Sequence, residues 1–198
     1  PGLVLVSHPQ YVSGQQGVAA TTQGFFFYRQ VLDADLLGSL ADLVEANLEF
    51  IAELETRDNG KPAFESARVD LPFVVSNFRY FAGWADKLAG DVIPVSGSFL
   101  NYTLREPLGV IGAIIPWNFP VNLAFSQLTG AFAAGNRAMV KLSENSMALA
   151  ALLKELSPSY FPPEKLAWFE ETGGVGIEFS KIPFDLLVFT GSGQTGRA

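Results

Sequence analysis

The second half of the chain alternates short apolar runs with helical segments, and this alternation limits the possible folds more than any other feature. The apolar runs, which suit strands buried on both faces, lie at residues 109–115, 137–142, 165–170 and 185–189. The segments between them have the apolar spacing of helices and lie at residues 122–134, 148–157 and 176–182. This order predicts an α/β fold with a doubly wound parallel sheet, which binds ligands at the carboxyl ends of its strands.

The first half of the chain is predicted to be mainly helical. Residues 33–58 form one predicted amphipathic helix, with Asp33 as its expected N-cap and Asn59-Gly60 as its expected end. A second helix is predicted over residues 70–89. The alternating residues 92–107, interrupted by proline and glycine, predict a hairpin or an exposed edge strand.

A glycine-rich segment follows the last apolar run. Its pattern, Gly191-x-Gly193-x-x-Gly196, matches a turn that lets the backbone approach a phosphate in front of a helix. An ordinary strand-to-helix turn explains a single motif of this kind equally well. The common dinucleotide fold has this motif after its first strand, whereas here it follows the fourth.

Polar residues follow two of the other predicted strands. Asn118 lies in a stiff Pro-Trp-Asn-Phe-Pro turn, where a neutral amide can donate a hydrogen bond to a developing oxyanion; capping the next helix is the commoner role. Lys141 and Glu144 lie where side chains can bind ribose hydroxyl groups, although a surface ion pair between them is the simpler interpretation.

Composition excludes several classes of function. The charge of −7, without a basic cluster, argues against nucleic acid and anionic membranes as partners. No apolar run is long enough to span a membrane and no signal peptide is evident, so we expect a cytoplasmic protein. The chain has no cysteine, which excludes disulfides and a cysteine nucleophile within it, and its one histidine, His8, is expected to be exposed; we expect no metal site.

Five segments in consistent order resemble the aldehyde dehydrogenase superfamily. They read LADLVEANLEFIAELETRDNGKP, FRYFAGWADKLAGDVIPV, REPLGVIGAIIPWNFP, AAGNRAMVKLSENS and FTGSGQTGR. The resemblance extends from about residue 36 to residue 198. Residues 160–192 are similar to the branch that includes coniferyl-aldehyde dehydrogenases, while the RDNGKP stretch is similar to the more general branch.

The resemblance implies a Rossmann-like domain that binds NAD(P), with its phosphate turn after the fourth strand of this series. It places Lys141 and Glu144 at the adenosine ribose, Gly176 near the adenine and Gly191-Ser192 near the phosphates. The remaining residues implied to line the cofactor are Ile114, Ile115, Pro116 and Trp117. Asn118 is implied to be the oxyanion-hole amide. We expect NAD rather than NADP, because the charge of Glu144 repels a 2′-phosphate.

The resemblance also implies an organisation and partners. Residues 1–88 are expected to be the helical part of the cofactor domain, residues 89–107 an oligomerisation hairpin, and residues 108–198 an incomplete Rossmann-like NAD-binding domain. A homo-oligomer is therefore expected, with a small-molecule aldehyde as the substrate of the full enzyme.

The chain departs from the family pattern in several places. The phosphate turn has Gly193 where the family usually has threonine, and Gln127 replaces a common lysine. The nucleophilic cysteine and general-base glutamate of the family lie downstream of this turn, so we expect a fragment or an interrupted gene that is inactive alone. A non-catalytic nucleotide-binding or oligomerising remnant is the alternative. A short, self-contained reductase is a weaker one, because no Tyr-x-x-x-Lys proton donor follows a plausible strand.

Overall fold

The computed structural model of the chain describes residues 17–21, 24–28, 34–85 and 87–197. Its helices are α1 Ala34–Ala46, α2 Leu48–Asn59, α3 Ala63–Glu65, α4 Leu71–Ala82, α5 Pro120–Ala133, α6 Met147–Leu156 and α7 Val175–Ser180. Its strands are β1 Gly17–Thr21, β2 Gly24–Tyr28, β3 Val92–Ile93, β4 Asn101–Tyr102, β5 Val110–Ile114, β6 Arg137–Lys141, β7 Leu166–Phe169 and β8 Leu186–Phe189.

The four strands of the second half form one parallel sheet in the order β7-β6-β5-β8, which confirms the predicted α/β class. The chain moves outward from β5 to β7 and then returns to the other side of β5. The register pairs Ile114 with both Lys141 and Phe189, so the strands end at the same edge. The strand order therefore reverses between β5 and β8, where open α/β sheets form their ligand crevice.

The single helix predicted over residues 33–58 is wrong, because the chain breaks at Asn47 into α1 and α2. The Asn47 backbone leaves the helical region, with φ −115° and ψ 19°, and its side-chain amide donates to the carbonyl of Leu43 at 2.9 Å. Apolar residues of both helices pack in the same core, so the apolar spacing continues across the break and conceals it. The proposed N-cap, Asp33, lies outside the described residues.

The helix predicted over residues 70–89 has different bounds. Helical structure begins with α3 and passes through a five-residue π-helix, Ser66–Asp70, before α4. The wider turn of the π-helix leaves both Ser66 and Asp70 buried, next to polar groups of α2 and of the segment after it. The helix ends at Ala82 because the chain turns at Gly83, seven residues before the predicted end.

Two short antiparallel hairpins precede the sheet. Strands β1 and β2 pair over the segment that contains the aromatic run at residues 25–28, for which the sequence predicts nothing. Strands β3 and β4 confirm a hairpin within residues 92–107, although each strand has only two residues. The second hairpin is exposed along its length, and Phe99 in its loop is 81% exposed.

One hydrophobic core joins the helical region to the sheet. Phe78 of α4 packs edge-on against Phe125 of α5, with ring centroids 5.3 Å apart, and Phe125 packs against Trp168 of β7 at 6.0 Å. Leu37, Phe132 and most of the buried apolar side chains of α1, α4 and α5 belong to the same core. The three-part division of the chain stays a prediction.

Candidate functional site

The loops that carry the predicted site residues meet where the parallel strands end. Backbone hydrogen bonds continue past the strands: Ile115 N donates to Lys141 O at 3.0 Å, and Thr190 N donates to Ile114 O at 3.1 Å. On the outer side, Leu142 N donates to Phe169 O at 3.0 Å. The sheet therefore holds the starts of all four loops side by side.

The loop after β5 presents both buried and exposed residues. Ile115 is 2% exposed and packs in the core, whereas Ile114 and Pro116 are half-buried and Trp117 is 49% exposed. Asn118 is exposed, and the N-cap of α5 is Phe119, which makes no side-chain cap bond. Asn118 therefore does not cap the following helix, and its amide is free to bind a ligand.

Lys141, the last residue of β6, is paired with an acid that the sequence prediction missed. Its Nζ lies 2.6 Å from Oε2 of Glu171, and the two side chains are only 9% and 14% exposed. Glu171 lies in the loop between β7 and α7, whereas a surface pair between Lys141 and Glu144 was the simpler interpretation of the sequence. The ion pair therefore joins the ends of β6 and β7.

Glu171 also organises the turn into α7. One carboxylate oxygen accepts from the N–H groups of Gly173 and Val175 at 3.0 Å each, and the other accepts from Gly176 N at 2.9 Å. The hydrogen bond from Lys141, together with those from the backbone, lowers the pKa of Glu171 to about 2. Glu171 is ionised at every pH at which the protein is expected to work.

Glu144 lies three residues after the end of β6, in the segment that leads into α6, and is exposed. A hydrogen bond from its own backbone N–H and another from the Ser143 hydroxyl hold the pKa of the Glu144 carboxyl below its usual value. Ser143 also accepts from Asn145 N at 3.3 Å, which caps the 3₁₀ turn that leads into α6. Glu144 is therefore a fixed, ionised acceptor facing solvent.

Gly176 lies directly against the ion pair. A Cβ added to it would lie 3.1 Å from Glu171 Oε2 and 3.2 Å from Lys141 Nζ, so any larger residue would crowd both groups. Gly176, Lys141 and Glu144 thus lie near the ends of β6 and β7, and the adenosine-binding role that the resemblance implies for them stays a prediction.

The glycine turn after β8 is exposed and is stabilised from within. Ser192 Oγ accepts from Thr195 N at 3.1 Å, and a three-residue 3₁₀ turn, Thr195–Arg197, follows. Gln127 of α5 donates to Thr190 Oγ1 at 3.2 Å, which ties the turn to the helix that follows β5. A Cβ added at Gly193 would meet open space, so the outer side of the turn is accessible.

Sequence reasoning missed Glu171 although a signal was present. The same rule that singled out Lys141 and Glu144, a charged side chain just after an apolar strand, also applies to the Glu170-Glu171 pair.

Within the described ranges, no cluster of three or more potential metal-binding side chains occurs. Among the helices of those ranges, none is both long and apolar enough to cross a membrane.

Comparison with known proteins identifies the family. The family model described as "Aldehyde dehydrogenase family" matches residues 32–198. The chain belongs to the aldehyde dehydrogenase family. This match covers both the helical region and the sheet, and it confirms the predicted superfamily; the likeness to coniferyl-aldehyde members stays a prediction.

Individual aldehyde dehydrogenases show how much of such an enzyme the chain represents. Human mitochondrial aldehyde dehydrogenase is 44% identical in an alignment 169 residues long that covers 82% of this chain and 32% of that protein. Human retinal dehydrogenase 2 is 40% identical over the same shares. The NAD⁺ complex of an aldehyde dehydrogenase from Bacillus cereus matches with a TM-score of 0.75 at 37% identity, over 83% of this chain and 34% of that one. The chain thus spans about a third of the length of its relatives.

Proposed function

We propose that this chain is the N-terminal, cofactor-binding part of an NAD-dependent aldehyde dehydrogenase, which oxidises an aldehyde to a carboxylic acid. The observation that carries the proposal is the meeting of the β5 and β8 loops where the strand order of the sheet reverses. An NAD-bound structure among the relatives supports NAD as the cofactor. NAD, when bound, supplies the hydride acceptor.

The polar residues at this edge fit a dinucleotide. The ionised Glu144 carboxylate can accept hydrogen bonds from ribose hydroxyls, and the Lys141 ammonium group can donate to them. The exposed backbone of Gly191-Ser192 can approach the phosphates. Gly176 has no side chain that would displace the Lys141–Glu171 ion pair, beside which the adenine is proposed to lie.

The β5 loop supplies the remaining contacts of the proposal. Ile114, Pro116 and Trp117 would line the cofactor with their partly exposed side chains. Ile115 would offer only its main-chain carbonyl, because its side chain is in the core and its N–H donates to Lys141 O. Asn118 donates its amide N–H to the aldehyde oxygen as negative charge develops there. One such donor contributes about 10²–10³ in rate.

Cofactor preference tests the ribose site. We expect the chain to bind NAD more tightly than NADP in calorimetry, because Glu144 repels a 2′-phosphate, and Glu144→Gln should narrow the difference. Glu53→Gln removes the same charge from an exposed site on α2 and should leave the preference unchanged. Tighter binding of NADP by the unaltered chain would contradict the assignment of Glu144.

The 198 residues alone are proposed to be inactive, because they contain no cysteine to form the covalent intermediate. Incubation with NAD and a panel of aliphatic and aromatic aldehydes should therefore produce no NADH above the rate without protein. Binding without turnover is also the property of a non-catalytic nucleotide-binding module. Activity that appears when the downstream part of a related enzyme is added would support the proposal that the chain is part of an aldehyde dehydrogenase over the proposal of a non-catalytic module.

The proposed enzyme associates with itself through residues 89–107, and its substrate is a small-molecule aldehyde. The exposed apolar side chains of the β3–β4 hairpin support self-association. A cytoplasmic location stays a prediction of the sequence.

A further inference from the structure

A buried polar cluster lies away from the strand ends, between α2, the π-helix and α5. Its members, which we name the Lys61 cluster, are Glu55, Lys61, Ser66 and Asp70, and none of them is more than 9% exposed. The Lys61 ammonium group forms an ion pair with the Asp70 carboxylate, and the Ser66 hydroxyl donates to Glu55. The helical region thus places a charged lysine in the interior of the protein.

Lys61 of the cluster and the nearby Asn59 contact the loop after β5 on the two sides of Asn118. Lys61 Nζ lies 3.8 Å from the centroid of the Phe119 ring, a cation–π distance. The side-chain amide of Asn59 donates to the main-chain carbonyl of Trp117 at 2.8 Å. These contacts join residues 58 positions apart in the chain and hold the neighbours of Asn118 while leaving Asn118 itself exposed.

The turn that carries these contacts is itself fixed. Asn59 Oδ1 accepts from Lys61 N at 2.9 Å, so the Asn59 side chain binds its own turn through oxygen and the β5 loop through nitrogen. Gly60 between them ends α2 with φ 76°, a conformation that favours glycine. The two side chains that contact the loop, Asn59 and Lys61, are therefore positioned by one short turn.

Stability alone is a weak reason for a buried ion pair. The cost of removing both charges from water offsets much of their attraction, and an apolar pair of similar volume often stabilises a protein equally well. An apolar side chain in place of Lys61 would lose the cation–π contact, and a residue without an amide in place of Asn59 would lose the bond to Trp117. A role in holding the loop after β5 explains why polar residues occupy both positions, Lys61 and Asn59.

We propose that Lys61 and Asn59 are positioning residues for Asn118. Both belong to the helical region, and they hold Trp117 and Phe119, the two residues that flank Asn118. The role of Asn118 rests on the proposed function, whereas the positioning itself is a property of this chain without any ligand. Neither residue touches the reacting atoms.

The backbone order parameter of Asn118 measures this positioning directly by ¹⁵N NMR relaxation of the ligand-free chain. We expect about 0.85, the value of a rigid backbone, in the unaltered chain, and a value below about 0.6 in Asn59→Asp. The aspartate keeps the oxygen that accepts from Lys61 N but has no N–H for the Trp117 carbonyl. The double variant Lys61→Met with Asp70→Asn removes both charges of the ion pair, leaves the hydrogen bond from Ser66 to Glu55 in place and should also lower the value.

A neighbouring residue gives a matched control. Asp58 accepts from the backbone N–H groups of Ala148 and Leu149, so Asp58→Asn weakens the contact between α2 and α6 but none with the β5 loop. It should lower the melting temperature and leave the order parameter of Asn118 unchanged.

Three results would overturn the proposal: a mobile Asn118 in the unaltered chain, an unchanged value in both loop variants, or an equal fall in Asp58→Asn. Calorimetry with NAD on the same samples separates this proposal from the function proposed above. A rigid loop that responds as expected in a chain without affinity for NAD would refute only the function. A mobile loop in a chain that binds NAD would refute only the positioning.

Discussion

The charges at the ends of β6 and β7 are unevenly balanced. One cation, Lys141, faces two carboxylates, Glu144 and Glu171, and Glu171 is also held by three backbone N–H groups. The region therefore carries one net negative charge while its lysine is already neutralised. A further negative charge placed beside this region would be repelled by it.

Glu171→Gln should destabilise the chain in a way that depends on pH. The pKa of Glu171 is about 2 in the folded chain against an ordinary 4.5, so its ionised form stabilises the fold above about pH 4.5 and this contribution is lost as pH falls toward 2. In urea unfolding the variant should be less stable at pH 6, and the difference should shrink between pH 4.5 and pH 3. A difference that stays constant over this range would contradict the assigned pairing.

Glu55→Gln should have the opposite dependence. Burial raises the pKa of Glu55 above 4.5, despite the hydrogen bond from Ser66, so keeping this carboxyl ionised costs stability as pH rises above 4.5. The free energy of unfolding of the glutamine variant, relative to that of the unaltered chain, should increase from pH 4.5 to pH 8. Urea unfolding at several pH values measures it, and a decrease over this range would reject the raised pKa.

Residues at strand ends could be predicted from the sequence, but their partners could not. Asn118, Lys141 and Glu144 each follow an apolar run that is recognisable by itself. The pairing of Lys141 with Glu171 depends on β6 and β7 being neighbours, and that of Lys61 with Asp70 depends on the π-helix. Both are tertiary facts that local patterns do not contain.

At the scale of elements, a single side chain connects two helices. Asp58, near the end of α2, accepts from the N–H groups of Ala148 and Leu149 in the first turn of α6, at 3.1 and 2.8 Å. It satisfies two backbone donors that have no partner within α6 and places a negative charge at the positive end of that helix. An aspartate of another helix thus acts as the cap of α6.

Asp58→Ala should reduce the free energy of unfolding by about 0.5–2 kcal/mol, the range for removing a helix cap. Chemical denaturation at pH 7 measures this loss. Glu155→Ala, at an exposed position on α6 itself, is the control and should change stability by less than about 0.5 kcal/mol. If Asp58→Ala lost no more free energy of unfolding than Glu155→Ala, the proposed capping of α6 by Asp58 would be contradicted.

The type of a helix or strand could be predicted wherever the apolar spacing was regular. The bounds of the helices in the first half could not. The four strands of the sheet and the helices between them lie within one or two residues of their predicted positions. The predicted helices of the first half failed at Asn47 and at the π-helix, because a break between two helices with a shared buried side leaves the spacing intact. Side-chain hydrogen bonds, such as that from Asn47 to the Leu43 carbonyl, decide such breaks.

At the scale of the whole molecule, the β3–β4 hairpin exposes a group of apolar side chains. They are Val92, Ile93, Val95, Phe99, Leu100, Tyr102 and Leu104, all at least 42% exposed. Exposed apolar side chains that are grouped in one segment are commonly covered by another protein surface.

Phe99→Glu should weaken self-association of the chain. The variant introduces a charge into the apolar surface, so sedimentation velocity over a range of concentrations should show a larger monomer fraction than for the unaltered chain. Phe64→Glu makes the same change at a residue of α3 that is 71% exposed and should have no such effect. A chain that is monomeric before any substitution would contradict association through the hairpin.

The position of β8 has a consequence for the order in which the protein forms during synthesis. Strands β5, β6 and β7 can pair in turn as they leave the ribosome, but the other side of β5 waits for residues that follow much later. Val110 N donates to Asp185 Oδ2 across 75 positions of the chain, and Asp185 N returns a bond to Val110 O. Such long-range pairing forms slowly, and until it forms β5 is an open, apolar strand edge that can bind other nascent chains. Chaperone binding during translation should therefore persist until β8 has emerged.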